Sequence, residues 1–184
     1  MVGVSKGSVH GRFQPFHNGH LDYVLEAFCR ADFLYVGLTQ IFRPRSDCID
    51  GAGRETAESN PLSYLERHDL IDAALVAAGI RRDRFQITPF PIETPERLPE
   101  FIPSGSVCFT TLVNDWNDEK VRRLNDCGFP IEILQLSVPD NMRVTSGTEI
   151  RRLIRARDPS WARFVPPVVA EIILDRLWPR FEIP

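Results

Sequence analysis

Nowhere in this sequence do apolar residues run for the roughly 20 positions needed to cross a bilayer, so no membrane-spanning helix is expected. The opening residues, "MVGVSKGS", hold one lysine and no long apolar stretch, which is not the pattern of a secretory signal. Cysteine is sparse: Cys29, Cys48, Cys108 and Cys127 stand far apart, with no CxxC pair. That spacing argues against a structural zinc site and fits reduced thiols in a cytoplasmic protein. An excess of positive charge is missing too. With 22 Lys and Arg against 25 Asp and Glu, the net charge is −3. A general nucleic-acid or membrane surface is thereby excluded, and only a local basic pocket remains open. Repeats and low-complexity tracts are absent. Histidine is as sparse as cysteine, and three of the four (His10, His17 and His20) crowd into "VHGRFQPFHNGHLDYV", Val9 to Val24.

What is present is ordinary for one well-cored domain: 184 residues, 43% hydrophobic and 26% charged. A single domain over 1–184 is expected, with a C-terminal helical part at about 147–178. Short runs rich in Val, Ile, Phe and Leu read as buried strands: "GSVHG", "DFLYVGL", "FQITPF", "SVCFTTLV" and "PIEILQL". Between them lie helical patterns. Leu21, Val24, Leu25 and Phe28 form one stripe; Leu65, Leu70, Ile71, Ala74, Leu75 and Ala78 form another, closed by Gly79. Val121 and Leu124 belong to a third helix ending near Gly128. Such alternation predicts an α/β fold: a Rossmann-like open parallel sheet with helices on both faces.

Two regions break the rhythm. Residues 39 to 61 form a long polar link of the kind that is functional or mobile. Residues 91 to 104 hold Pro91, Pro95, Pro99 and Pro103 and are expected to run extended and irregular. The tail from Arg151 to Trp178 reads as helical, interrupted at "DPSW" and restarted at Pro166-Pro167.

Open parallel sheets bind ligands beyond the carboxyl ends of their strands, and "GRFQPFHNGH", Gly11 to His20, occupies the first strand-to-helix junction. Gly11 permits close backbone approach, Pro15 stiffens the turn, and Gly19 clears the entry into the helix. The exposed N–H groups and the positive helix end favour an anion. His17 and His20 fall one turn apart and can project to one side, and Arg12 adds a permanent charge. A phosphate chain is the natural guest. An isolated HxxH more often packs than catalyses, and no third ligand for zinc stands out. His10 is read as a strand residue beside the pocket.

The whole decapeptide in this setting resembles the HxGH nucleotidyltransferase superfamily, in the branch of archaeal-type nicotinamide mononucleotide adenylyltransferases. A second motif agrees: "TSGTEIRR", Thr145 to Arg152, is similar to the ISSTxIR signature, with Gly147 in place of the second Ser. The likeness extends through "NPLSYLERHDLI" and "VPPVVAEII". The resemblance implies transfer of a nucleoside monophosphate from a triphosphate to a small anionic acceptor, with release of pyrophosphate and Mg²⁺ on the phosphates. It assigns catalysis to His17, His20 and Arg151. Nucleotide binding falls to Gly11, Arg12, Phe13, Gln14, Gly19, Ser146, Gly147 and Thr148. No residue is assigned as a metal ligand, and a homo-oligomer is expected only by analogy with related enzymes.

The departures concern the substrate. Relatives of that branch carry "GSAQ-x-SHT" after the second strand and "TGN" after the fourth; here stand "GLTQIFRPRSD" and "TTLVNDWNDEK". These replacements resemble the cytidylyltransferases of phosphonate pathways, including those acting on phosphonoformate. Trp116 then offers a stacking face and Asp115 an acceptor for the base, although an N-cap and a core anchor are equal readings of the two. Arg43 and Arg45 are candidates for the acceptor, against a plain solvated loop. CTP is the expected donor nucleotide. ATP with nicotinamide mononucleotide is the alternative, and a binding protein without turnover is the third.

Overall fold

The computed structural model describes residues 4–42, 56–111, 115–135 and 146–182, which fall into two compact units. The first comprises Met1–Gly11, Asp22–Ile41 and Arg81–Ser137 and carries the sheet. Its strands are β1 (Val4–Gly11), β2 (Ala31–Leu38), β3 (Phe85–Pro89), β4 (Val107–Thr110) and β5 (Ile131–Ile133). Every neighbouring pair is parallel, in the order β3-β2-β1-β4-β5. The order reverses between β1 and β4, so Gly11 ends a strand at the switch point. Val9, Leu34, Val36, Leu38, Cys108 and Phe109 are wholly buried. Continuous apolar runs rather than alternation are what a parallel sheet demands. This is the expected open parallel sheet of an α/β fold, with helices and a C-terminal helical segment.

Helix α1 (Asn18–Phe28) follows β1, and α3 (Asp115–Asp126) follows β4. The buried face of α1 is Tyr23, Val24 and Ala27, rotated from the expected stripe, in which Leu25 and Phe28 are only half-buried. The rotation has a polar cause: the Tyr23 hydroxyl donates to the Phe109 carbonyl of β4, so the ring must face the sheet. Residues 91–104 are not simply extended. Pro95–Glu100 forms a 3₁₀ turn, started by a proline at its first turn. Leu98 and Ile102 drop from it into a core with Phe90, Ile92, Cys108, Leu124 and Phe129.

The second unit comprises Arg12–Leu21, Phe42–Ile80 and Val138–Pro184. It holds α2 (Tyr64–Ala77), α4 (Gly147–Arg155) and α5 (Pro167–Ile172). Ser63 and Glu66 form a capping box at the start of α2, and Gly79, at φ +83°, turns the chain out of it. Helix α2 packs against α5 through Leu70, Ile71, Ala74 and Leu75. The expected stripe fails at both ends, since Ala78 is exposed and follows the helix. Leu65 is 65% exposed, and Arg67 takes the buried place at i−3 from Leu70. The tail breaks where expected: Asp158 accepts from the Ser160 N–H at 2.9 Å, a 3₁₀ turn spans Pro159–Phe164, and α5 restarts at Pro167. Among the described residues no helix is long and apolar enough to cross a membrane.

Packing is close in the sheet unit, over β1 and β2. The Phe90 ring stacks on the imidazole of His10, centroids 4.3 Å apart and 4° from parallel, which places His10 in the core. It also covers Gly37, the residue paired with His10 across the ladder. A Cβ on Gly37 would stand 2.5 Å from the Phe90 ring. Gly37→Ala is therefore expected to cost about 1–3 kcal/mol through overpacking and to lower Tm by several degrees. Thermal unfolding followed by circular dichroism checks this; an unchanged Tm would mean the ring can move aside freely.

Candidate active site

The turn from Arg12 to His17 leads from the end of β1 into α1. Phe13 lies at φ +53°, a conformation rare for a bulky side chain, and the Gln14–Pro15 peptide is cis. Phe13 and Phe16 are buried and wall in His20; the Phe13 ring meets the His20 imidazole edge-on at 4.9 Å. His17 precedes the helix, and its carbonyl accepts from the N–H groups of His20 (2.8 Å) and Leu21 (3.0 Å). Its Nδ1 also faces the His20 N–H at 3.3 Å, so an imidazole does the work of an N-cap side chain. A nitrogen that accepts carries no proton, which puts the proton of neutral His17 on Nε2. The two imidazoles stack at 3.5 Å, 19° from parallel. His17 is buried, contrary to the expectation of two open donors. Burial pushes its pKa down to about 4. His20 is pushed well below the ordinary range by burial, then by His17 and Arg12.

The second motif builds the facing wall. Ser146 caps α4, its Oγ accepting from the Glu149 N–H at 3.2 Å. Arg151, one turn into the helix, is 4% exposed. Its Nη1 donates to the Gln14 carbonyl at 2.6 Å and its Nη2 to Thr148 Oγ1 at 3.2 Å. Thr148 thus serves Arg151 rather than the helix end, and its hydroxyl proton stays available to another acceptor. Gly147 sits where these parts meet. A Cβ there would lie 2.8 Å from the Gln14 carbonyl oxygen and 3.3 Å from Arg151 Nη1, so the glycine that departs from the signature is the residue with room to fit.

Between the motifs lies an open pocket of about 430 Å³, within the common range for small-ligand sites. The first motif contributes Arg12, Phe13, Gln14 and His20; the second contributes Ser146, Gly147, Thr148 and Arg151. Two residue blocks more than a hundred positions apart therefore share one cavity inside the second unit. Its ninth lining residue is Ser59, which sequence reasoning missed within the 39–61 link. Ser59 is positioned by a turn, its N–H bonding the Thr56 carbonyl at 3.1 Å. Next to it, the Glu58 carbonyl accepts from Arg155 Nη2 at 2.8 Å. No carboxylate lines the pocket among the described residues. Burial first, then Arg12 and Arg155, push the Arg151 pKa down to about 10, so it stays charged at neutral pH. The chemistry on offer is that of an anion site: guanidinium forks, hydroxyls and the imidazole of His20.

A second residue that sequence reasoning missed is Arg67. It is 1% exposed, with Nη1 on the Arg12 carbonyl (2.8 Å) and Nε on the Ser63 carbonyl (3.3 Å). The available signal was its position at the head of the apolar series of α2, hidden because an arginine stood there. Gln14 is locked alongside: Nε2 donates to the Leu62 carbonyl at 2.9 Å, and Oε1 accepts the Leu62 N–H at 3.0 Å. Gly19 lies in the first turn of α1. Gly11, Asp115 and Trp116 belong to the sheet unit, where Asp115 and Trp116 open α3. Thr145 and the two candidate acceptor residues, Arg43 and Arg45, fall outside the described residues.

Comparison with known proteins agrees with this architecture. Residues 9–153 match the cytidylyltransferase-like family. The chain is 36% identical to phosphonoformate cytidylyltransferase from Streptomyces viridochromogenes, over 91% of this chain and 89% of that one. It is 29% identical to nicotinamide-nucleotide adenylyltransferase from Saccharolobus solfataricus, over 94% and 91%. Its fold superposes, at a TM-score of 0.68 and 17% identity, on a bifunctional NMN adenylyltransferase/ADP ribose pyrophosphatase from Francisella tularensis. That match covers 97% of this chain and 52% of the other, so this chain spans about half the length of that structure. The chain belongs to the cytidylyltransferase-like family and is a nucleotidyltransferase.

Proposed function

We propose that this enzyme transfers CMP from CTP to a small phosphonate or phosphate, of which phosphonoformate is the type, and releases pyrophosphate. The observation that carries the reading is the 36% identity to phosphonoformate cytidylyltransferase over nearly the whole of both chains. Adenylyl transfer from ATP to nicotinamide mononucleotide is the second reading, favoured by 29% identity over an equally long match. The pocket supports either one, because both donors present the same triphosphate.

An anionic oxygen of the acceptor attacks the α-phosphorus in line. The new O–P bond forms as the bond to the bridging oxygen breaks, and that electron pair leaves on pyrophosphate. The nucleophile is already charged, so no strong base is required; the protein positions the partners and neutralises moving charge. In this reading Arg12 and Arg151 hold the β- and γ-phosphates, and His20 turns its one N–H from the Pro15 carbonyl to the phosphate being transferred. His17 fixes His20 by capping and stacking. Ser146 and Thr148, whose oxygens are occupied as acceptors, lend their hydroxyl protons. Among the described residues no three His, Cys, Asp or Glu side chains stand together to hold a metal. In this reading Mg²⁺ is part of the substrate, arriving on the triphosphate with its waters.

The substrate assignment is tested by pyrophosphate release, measured with four triphosphates against phosphonoformate, simple phosphonates and nicotinamide mononucleotide. CTP with a phosphonate is the expected productive pair; ATP with nicotinamide mononucleotide would replace it with the second reading. Gly147→Ala is expected to dislodge Arg151 from the Gln14 carbonyl. A loss of about 1–2 kcal/mol, roughly 5- to 30-fold in Kd, should fall on CTP and spare CMP. Equal losses in calorimetry would place Arg151 away from the pyrophosphate end.

The buried His17 sets a pH dependence. Its folded pKa of about 4 lies below the unfolded value near 6.5, so the unfolded chain binds the proton first. Stability is complete above pH 6.5, declines as pH falls toward 4, and levels off below that. The span is worth roughly 3 kcal/mol. His17→Asn keeps a capping acceptor without the titration, and should flatten Tm against pH over this window. Identical slopes in both proteins would remove His17 as the cause.

A further inference from the structure

The proposed reaction uses Arg12, His20 and Arg151 but leaves unexplained why α2 carries a fully buried arginine. A buried guanidinium is costly unless it is bonded and its position matters. A neutral residue would fill the stripe of Leu70, Ile71 and Ala74 more cheaply. Arg67 does not line the pocket; it lies behind the turn that does. Its Nε reaches the Ser63 carbonyl of its own helix cap at 3.3 Å, while its Nη1 donates to the peptide carbonyl of Arg12 at 2.8 Å.

That peptide joins Arg12 to Phe13. In a trans peptide, C=O and N–H point in opposite directions across one rigid plane. Pinning the Arg12 carbonyl toward Arg67 therefore aims the Phe13 N–H away from Arg67. The Phe13 side chain cannot be what this residue offers the pocket, since Phe13 is 1% exposed and its ring packs on Phe16 and His20. What remains is its main chain, held at φ +53°. Left-handed residues in turns are where successive N–H groups form anion-binding concavities. The next carbonyl but one, that of Gln14, is drawn off by Arg151 at 2.6 Å, and Gln14 itself is locked to Leu62. The carbonyls of Arg12 and Gln14 are thus each engaged by a buried guanidinium rather than left bare toward an anion.

We infer that Arg67 is a positioning residue of the phosphate site: through the Arg12 carbonyl it turns the Phe13 N–H toward a bound phosphate chain. The inference rests on the reading of the pocket as the triphosphate site, and it adds one main-chain donor and one remote residue to it. Arg67 touches no substrate in this scheme. Its effect is felt in how tightly phosphate is held.

Inorganic tripolyphosphate is the probe, because it contains the phosphate chain without base, sugar or acceptor. In the wild-type protein, the Phe13 amide proton is expected to move downfield by NMR as tripolyphosphate is added. Arg67→Met, which fills the space without donors, should weaken tripolyphosphate binding roughly tenfold or more, the scale of a lost charge-assisted contact. Arg67→Lys, which keeps a donor within reach of the carbonyl, should recover most of that loss. A merely structural role would lower Tm in both variants and leave the affinity of the folded protein unchanged, overturning the inference. Should Arg67→Met fail to fold, the wild-type titration still decides: an unmoved Phe13 amide in saturating tripolyphosphate rules it out. Turnover of CTP with an unmoved amide would leave the proposed reaction standing and sink only this inference. A shifted amide without turnover of any nucleotide would do the reverse.

Discussion

Two guanidinium groups, those of Arg67 and Arg151, are kept almost wholly out of water, and both end on peptide carbonyls of the turn from Arg12 to Gln14. Removing such a charge from solvent costs several kcal/mol unless its donors are satisfied. The turn must therefore hold its shape for α2 and α4 to keep their arginines buried, and the arginines must stay for the turn to keep its shape. Gln14 reinforces the arrangement with a reciprocal pair of bonds to Leu62. Gly147 makes it possible, since a side chain there would meet the carbonyl that Arg151 uses. The conformation of six residues at one strand end is in this way tied to two helices distant in sequence.

The same arrangement sets the electrostatics. Arg12 disfavours the charge on both Arg67 and Arg151, and it helps hold His20 in its neutral form. Arg12 and Arg151 line one cavity as like charges, an arrangement that favours an anion there. The neutral histidines fit this picture. A further proton would add to the repulsion, and a neutral imidazole still donates one N–H.

Much of this was legible in the chain. The five strands stand where the apolar runs are, and the order of elements is that of a parallel sheet with helical crossovers. Gly79 and Gly128 turn the chain after α2 and α3 at positive φ, as their placement implied. Eight of the nine pocket residues lie in the two motifs. Local errors had physical causes. Tyr23 rotated α1 through a hydrogen bond to β4, and Leu98 with Ile102 pulled a proline-rich crossing into a 3₁₀ turn by their need for burial.

The sequence by itself determined the class of fold and the chemical character of the site, because periodicity and motif composition are local properties. Only the tertiary structure decided which polar side chains leave water. Arg67 looks like a surface residue until the helix is placed against the Arg12 carbonyl, and Ser59 looks like linker until its turn brings it to the pocket. His17 reads as an open donor until Phe13, Phe16 and His20 close over the turn. Burial of a polar group depends on partners far away in the chain, and no local pattern encodes those distances.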